Sequence, residues 1–172
     1  AEPLSRFHDA SAKTIRSATE QLLWNYDKGI LIADAPKAQG VVGFLNQEAR
    51  LDTADFAFIS ENAYGSIFAI TLDDQPLADS DRILVQLATH DVPYEFETRS
   101  VDGYREITNL GQYPLNVREI KGQLLIKTDR QPTVESLDGN GYPTGEFPEM
   151  TEHPDGFLVD LPKDRIYVSI QY

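Results

Sequence analysis

Two apolar runs near the middle of the chain set its pattern. The first holds Ile67, Phe68, Ala69, Ile70 and Leu72; the second holds Ile83, Leu84, Val85, Leu87 and Ala88. Apolar residues occupy odd and even positions alike, so strands made from these runs are expected to be covered on both faces and to lie in the middle of a sheet. Between them, residues 73–81 are rich in Asp, Pro and Ser and read as a turn.

Shorter strands are expected around this pair. Residues 21–26 and 30–33 form a hairpin through Gly29, where the turn needs a positive φ. Alternation puts Leu22, Trp24 and Tyr26 on one face and assigns Trp24 to the core. Pro36 ends the second strand, because it has no N–H for a ladder. Residues 40–45 and 55–59 are further short strands. Residues 93–98 alternate strictly, with Tyr94 and Phe96 on one side and Glu95 and Glu97 on the other. Residues 99–114, with Asp102-Gly103 inside, read as a long connection. Residues 115–120 and 123–127 make a second hairpin. Residues 134–137 and 142–147 make a third through the Asp138-Gly139-Asn140-Gly141 turn, and residues 157–161 and 166–170 close the chain.

Roughly ten to twelve strands at this spacing, and no stretch with a helical period, predict an all-β fold. The expected form is an antiparallel two-sheet β-sandwich, Ig-like or jelly-roll-like, with little helix. Residues 1–18 read as a linker or strap and residues 19–172 as one domain.

Size and charge narrow the partners. At 172 residues the chain can bury about two-thirds of its unfolded surface. No apolar run approaches the roughly 18 residues of a membrane span. A formal net charge of −13 argues against nucleic acid and against an anionic membrane surface. With no cysteine, disulfides, thiolate metal sites and thiol nucleophiles drop out. The chain starts at Ala1 without a signal-peptide pattern, and reads as a mature protein or an excised piece.

No residue set compels a reaction. His8, His90 and His153 are far apart in sequence and match no metal-binding spacing. A nucleophile elbow and a phosphate loop are both lacking, so no catalytic residue and no metal ligand is assigned. The run from Asp138 opens like a calcium loop, with Glu149 at the twelfth position. Tyr142 at the fifth position and the Pro143 interruption favour a plain hairpin turn, with a structural Ca2+ as the alternative; no other cofactor is expected. Aromatic rings stack on the C–H faces of sugars while their polar tips stay wet. Tyr64, Tyr104, Tyr113 and Tyr142 fall in or beside turns and are the candidate ligand-binding residues.

Several phrases taken in order carry a resemblance: TEQLLWNYDKG at 19–29, IADAPKAQGVVGF at 32–44, LDDQPLADS at 72–80, RILVQ at 82–86, LDGNG at 137–141 and LPKD at 161–164. Together they resemble the C-terminal β-sandwich domain that follows the (β/α)8 barrel in large secreted bacterial proteins related to glycoside hydrolases. The barrel, which would carry the catalytic acids, is not in this chain, so no catalytic residue carries over.

What the resemblance implies is a non-catalytic, extracellular or periplasmic accessory module of a polysaccharide-degrading enzyme, which binds the polysaccharide or buttresses a catalytic (β/α)8 domain of the same polypeptide. An apolar patch on one face would favour buttressing; a groove lined by two aromatics would favour sugar binding. The alternatives are a free-standing Ig-like adhesion or interaction module and, further off, a small self-contained glycoside hydrolase with convergent carboxylates.

Overall fold

The structure, a computed structural model, describes residues 4–172. The first three residues of the expected linker or strap lie outside the described residues. In chain order the strands are β1 (His8–Asp9), β2 (Thr14–Arg16), β3 (Leu22–Asn25), β4 (Ile30–Ala35), β5 (Ala38–Gly43) and β6 (Leu51–Asp52). Next come β7 (Phe56–Ser60), β8 (Gly65–Thr71), β9 (Arg82–Thr89), β10 (Asp91–Tyr94), β11 (Glu97–Val101) and β12 (Tyr104–Asn109). The last six are β13 (Gln112–Val117), β14 (Gly122–Ile126), β15 (Thr133–Leu137), β16 (Met150–His153), β17 (Gly156–Asp160) and β18 (Tyr167–Gln171). Two 3-10 turns, Leu4–Phe7 and Leu45–Gln47, are the only helical segments among the described residues.

Two antiparallel sheets pack face to face as an all-β sandwich. The larger has nine strands in the order β1-β2-β3-β4-β5-β8-β9-β18-β15, and the smaller has five, β16-β17-β14-β7-β6. Within the segment expected as linker or strap, β1 and β2 extend one edge of the large sheet. The core forms where inward positions meet. Ile67, Val85, Leu87, Val168 and Ile170 of the large sheet lie against Phe56, Phe58, Leu124, Ile126 and Val159 of the small one. Each such side chain contributes about 1.5–3 kcal/mol by leaving water. A slip of one residue in any of these strands would turn its apolar set outward.

One buried polar staple joins the sheets. Gln39 on β5 is fully buried and donates from Nε2 to Asp55 Oδ2 at 2.6 Å. Its Oε1 accepts from Thr53 Oγ1 at 2.8 Å and from the Asp55 backbone N–H at 2.9 Å.

The central runs pair with each other as β8 and β9, as their composition predicts, but only one of their faces is fully covered. Ile67, Ala69, Ile83, Val85 and Leu87 point into the core, whereas Phe68, Ile70 and Leu84 are half-buried on the opposite face. No segment among the described residues supplies the expected second cover.

The hairpin through Gly29 forms, with Leu22 opposite Ala33 and Trp24 opposite Leu31. Its expected orientation is corrected: Leu22, Trp24 and Tyr26 share a face, and that face points outward. Period-two alternation states which residues are together, and the pairing with the sheet beyond decides which side is inside.

The segment expected as a long connection after residue 98 is also corrected. Residues 91–117 form an arm of two ribbons, β10 with β13 and β11 with β12, whose strands pair only with one another. Asp102 (φ 48°) and Gly103 (φ 84°) make the tip turn, with left-handed conformations at both central positions. The backbone bends between the ribbons at Glu95 (φ 62°) and Gly111 (φ 70°). A Cβ on residue 111 would lie 2.4 Å from the Tyr94 carbonyl oxygen, so only glycine fits that bend. Hence residues 93–98 do not form one strand. Nor do residues 115–120 and 123–127 form a hairpin, since β14 lies between β7 and β17. The return of the third expected hairpin follows β15 through Ser136 N–H to Glu146 O (2.8 Å) and Thr144 N–H to Ser136 O (3.1 Å), with one ladder bridge, Leu137 to Pro143.

Candidate functional site

The two outward faces of the sandwich differ in chemistry. On the small sheet, Leu125 and Ala57 point outward yet are fully buried, flanked on that face by Leu158 and Ile59 and by a layer of charged and amide side chains. Asp52 anchors that layer, bonded by Arg50 (Nη2 to Oδ1, 2.7 Å) and Lys127 (Nζ to Oδ1, 2.9 Å). The Arg50 hydrogen bond, followed by that of Lys127, holds the Asp52 carboxyl below its ordinary value against a partial burial that pushes it up. Gln123 Nε2 donates to Asp160 Oδ1 at 2.6 Å on the same side.

Four strands of the large sheet, β3, β4, β5 and β8, carry no such layer among the described residues. The register places Leu22, Trp24, Leu31, Ala33, Ala35, Ala38, Gly40, Val42, Ser66, Phe68 and Ile70 on its outward face, and Leu84 continues it on β9. Not one outward position of β3, β4, β5 or β8 is charged, in a chain where 25% of residues are. Phe68 lies over Gly40, where a Cβ would be 2.4 Å from the Phe68 ring; the missing side chain lets the ring lie flat on the sheet. Trp24 is 47% exposed and meets Tyr26 edge-on at 6.0 Å between ring centres. Tyr26 in turn accepts or donates a hydrogen bond with His8 Nε2 at 3.1 Å. Ile15, opposite Trp24, extends the patch across β2.

A second feature is the pole of the sandwich from which the arm leaves. The register brings Ile30, Gly43, Gly65, Thr89 and Tyr167 to one end of the large sheet, and Ser60 and Gly122 to the end of the small sheet joined to it by residues 61–64. All four candidate tyrosines belong to segments at this pole. Tyr64 (48% exposed) stands against Phe44 at 5.3 Å, edge to face. Tyr104 (79%) opens β12 beside the arm tip, and Tyr113 (85%) is on β13. Tyr142 (69%) closes the loop after β15. Among the described residues no one of the four rings packs on another, so they share a pole without making a platform.

The Asp138 loop is closed by its own backbone. Asp138 Oδ1 accepts the N–H of Asn140 at 2.8 Å and of Tyr142 at 2.9 Å, an Asx turn. These bonds, that from Tyr142 first, hold the carboxyl below its ordinary value. The oxygen that would open a calcium loop is thus committed to amides. His8, His90 and His153 stay apart, and no group of three or more His, Cys, Asp or Glu side chains converges among the described residues.

Sequence reasoning assigned no role to the outward face of β4, β5 and β8, to the arm, or to Gln39. The signal for the face was present: apolar residues on both parities of β8 and β9 demand two covers, and the fold supplies one. Compared with family models, curated proteins and solved structures, the chain matches none.

Proposed function

We propose that this chain is a non-catalytic β-sandwich accessory module of a secreted polysaccharide-degrading enzyme. Of the two roles open to such a module, it buttresses a catalytic (β/α)8 domain of the same polypeptide. The observation that carries this reading is the charge-free outward face of β3, β4, β5 and β8 in the nine-stranded sheet. It has the composition of an interface core, with charge depleted and aromatics present. An apolar patch of this kind on a sheet face is a mark of a surface that is covered in use. A tyrosine platform for sugar is less well supported, because the four candidate rings stand apart.

The test is to place charge in the patch. Leu22→Lys and Phe68→Lys, singly and together, should weaken the complex with the barrel domain by about tenfold or more per substitution, the loss expected when an apolar anchor is replaced by a buried unpaired charge. Melting temperature should stay near that of the unmodified module, since neither residue lies in the inter-sheet core. A complex that tolerates both lysines would sink the reading, as would an isolated chain that buries the same face in a dimer and ignores the barrel.

A further inference from the structure

The arm lines an open cavity of about 750 Å3 that the buttressing role does not use. Residues from both ribbons line it, Val92 and Pro93 of β10 and Val117 of β13 from the base, Ile107 of β12 from the outer ribbon, and Phe96 from the bend between them. These give it apolar walls. Its volume falls within the roughly 300–1,000 Å3 of small-molecule sites.

Two arginines line this space, Arg105 and Arg118. Arg105 Nη2 donates to Thr98 Oγ1 at 3.0 Å, a neutral partner. Arg50, Arg99, Arg130 and Arg165 each have a carboxylate within ion-pair distance. Neither Arg105 nor Arg118 has one among the described residues, and the same holds for Arg16 and Arg82, in a chain with 28 acidic and 15 basic side chains. Asp91 lines the same cavity without pairing with either, and Asn116 and His90 complete its polar groups. A second cavity of about 500 Å3 shares Asp91, Val117 and Arg118 and adds Lys163, Glu119 and Asp164, so the cationic character is confined to the arm.

We propose that this cavity binds a carboxylate carried on a ring. The planar fork of a guanidinium matches the two oxygens of a carboxylate, and two unpaired forks beside apolar walls select an anion with an apolar face over a hydrated ion. Pro93, Phe96 and Ile107 take the face of the ring; Asp91 and Asn116 accept from or donate to its hydroxyl groups. Two sources share this chemistry, the uronate of an acidic polysaccharide and a free aromatic acid. The proposal is independent of the outward sheet face and stands or falls without it.

Calorimetric titration of the full chain at low salt separates the cases. The probes are trigalacturonic acid and 2-naphthoate, each beside its neutral counterpart, galactotriose and 2-naphthalenemethanol. One carboxylate should bind at least about tenfold tighter than its neutral counterpart, and which one does so identifies the source. Arg105→Gln and Arg118→Ala should each weaken that binding about tenfold or more, the loss expected for a charge-assisted hydrogen bond. Arg118→Lys should fall between, keeping the charge and losing the fork, and its melting curve should overlay the parent's. Equal affinity for the neutral probes, or binding indifferent to all three variants, overturns the proposal. So does failure of both carboxylates to bind, which is the outcome if the cavity seats an acidic segment of a protein partner.

Discussion

Phe58→Ala should lower the unfolding free energy by about 3–5 kcal/mol, the range for removing a large aromatic from a packed core. Phe58 is fully buried on β7, paired with Leu124 on one side and Leu51 on the other, and its ring is 6.2 Å from that of Phe56. β7 is held between β6 and β14, so its backbone has little room to move into the space left behind. The cost therefore includes both lost transfer energy and an unfilled cavity. Urea denaturation followed by far-ultraviolet dichroism would measure it. A loss below about 1.5 kcal/mol would place Phe58 outside the core of the sandwich.

Gln39→Leu should cost about 2–4 kcal/mol although it adds apolar surface at a buried site. Leucine roughly fills the volume but offers no partner to the Asp55 N–H and carboxylate, which Gln39 bonds at 2.9 and 2.6 Å. Each buried polar group left without a partner costs about 1–3 kcal/mol, more when it is charged. Thr53 is less affected, because its hydroxyl also reaches the Phe56 carbonyl oxygen at 3.2 Å. The same denaturation series would show the loss; equal stability of Gln39→Leu and the parent would mean that the staple does not tie β5 to the segment before β7.

Where the sequence is legible, a local pattern decides the structure. Gly29 sets the first hairpin, and the density of β-branched and apolar residues sets β8 and β9. Where it is not, the deciding contact is distant. Leu22, Trp24 and Tyr26 were correctly grouped and wrongly faced, since nothing local says on which side the second sheet will lie. The arm reads as a connection in the sequence because residues 97–109 carry no apolar alternation, which fits strands that are exposed almost throughout. The Asp102-Gly103 pair was the available signal for a hairpin there. Gln39 looked like an ordinary polar strand residue, and only its placement opposite residues 53–55 makes it a buried staple. The candidate tyrosines are legible as exposed residues, but their placement, two on the bent arm and two on separate loops of the sandwich, is encoded by no local pattern.

The proposed buttressing role requires a partner to cover the outward face of the large sheet, and the chain carries a reporter there. Trp24 is the only tryptophan and stands on that face. Acrylamide quenching of its fluorescence should be efficient in the isolated chain, with emission near that of hydrated indole. Addition of the barrel domain should shift the emission to the blue and shield the ring, and Phe68→Lys should abolish that change. A tryptophan already shielded in the isolated monomer, or one whose emission and quenching do not respond to the barrel, would contradict the account.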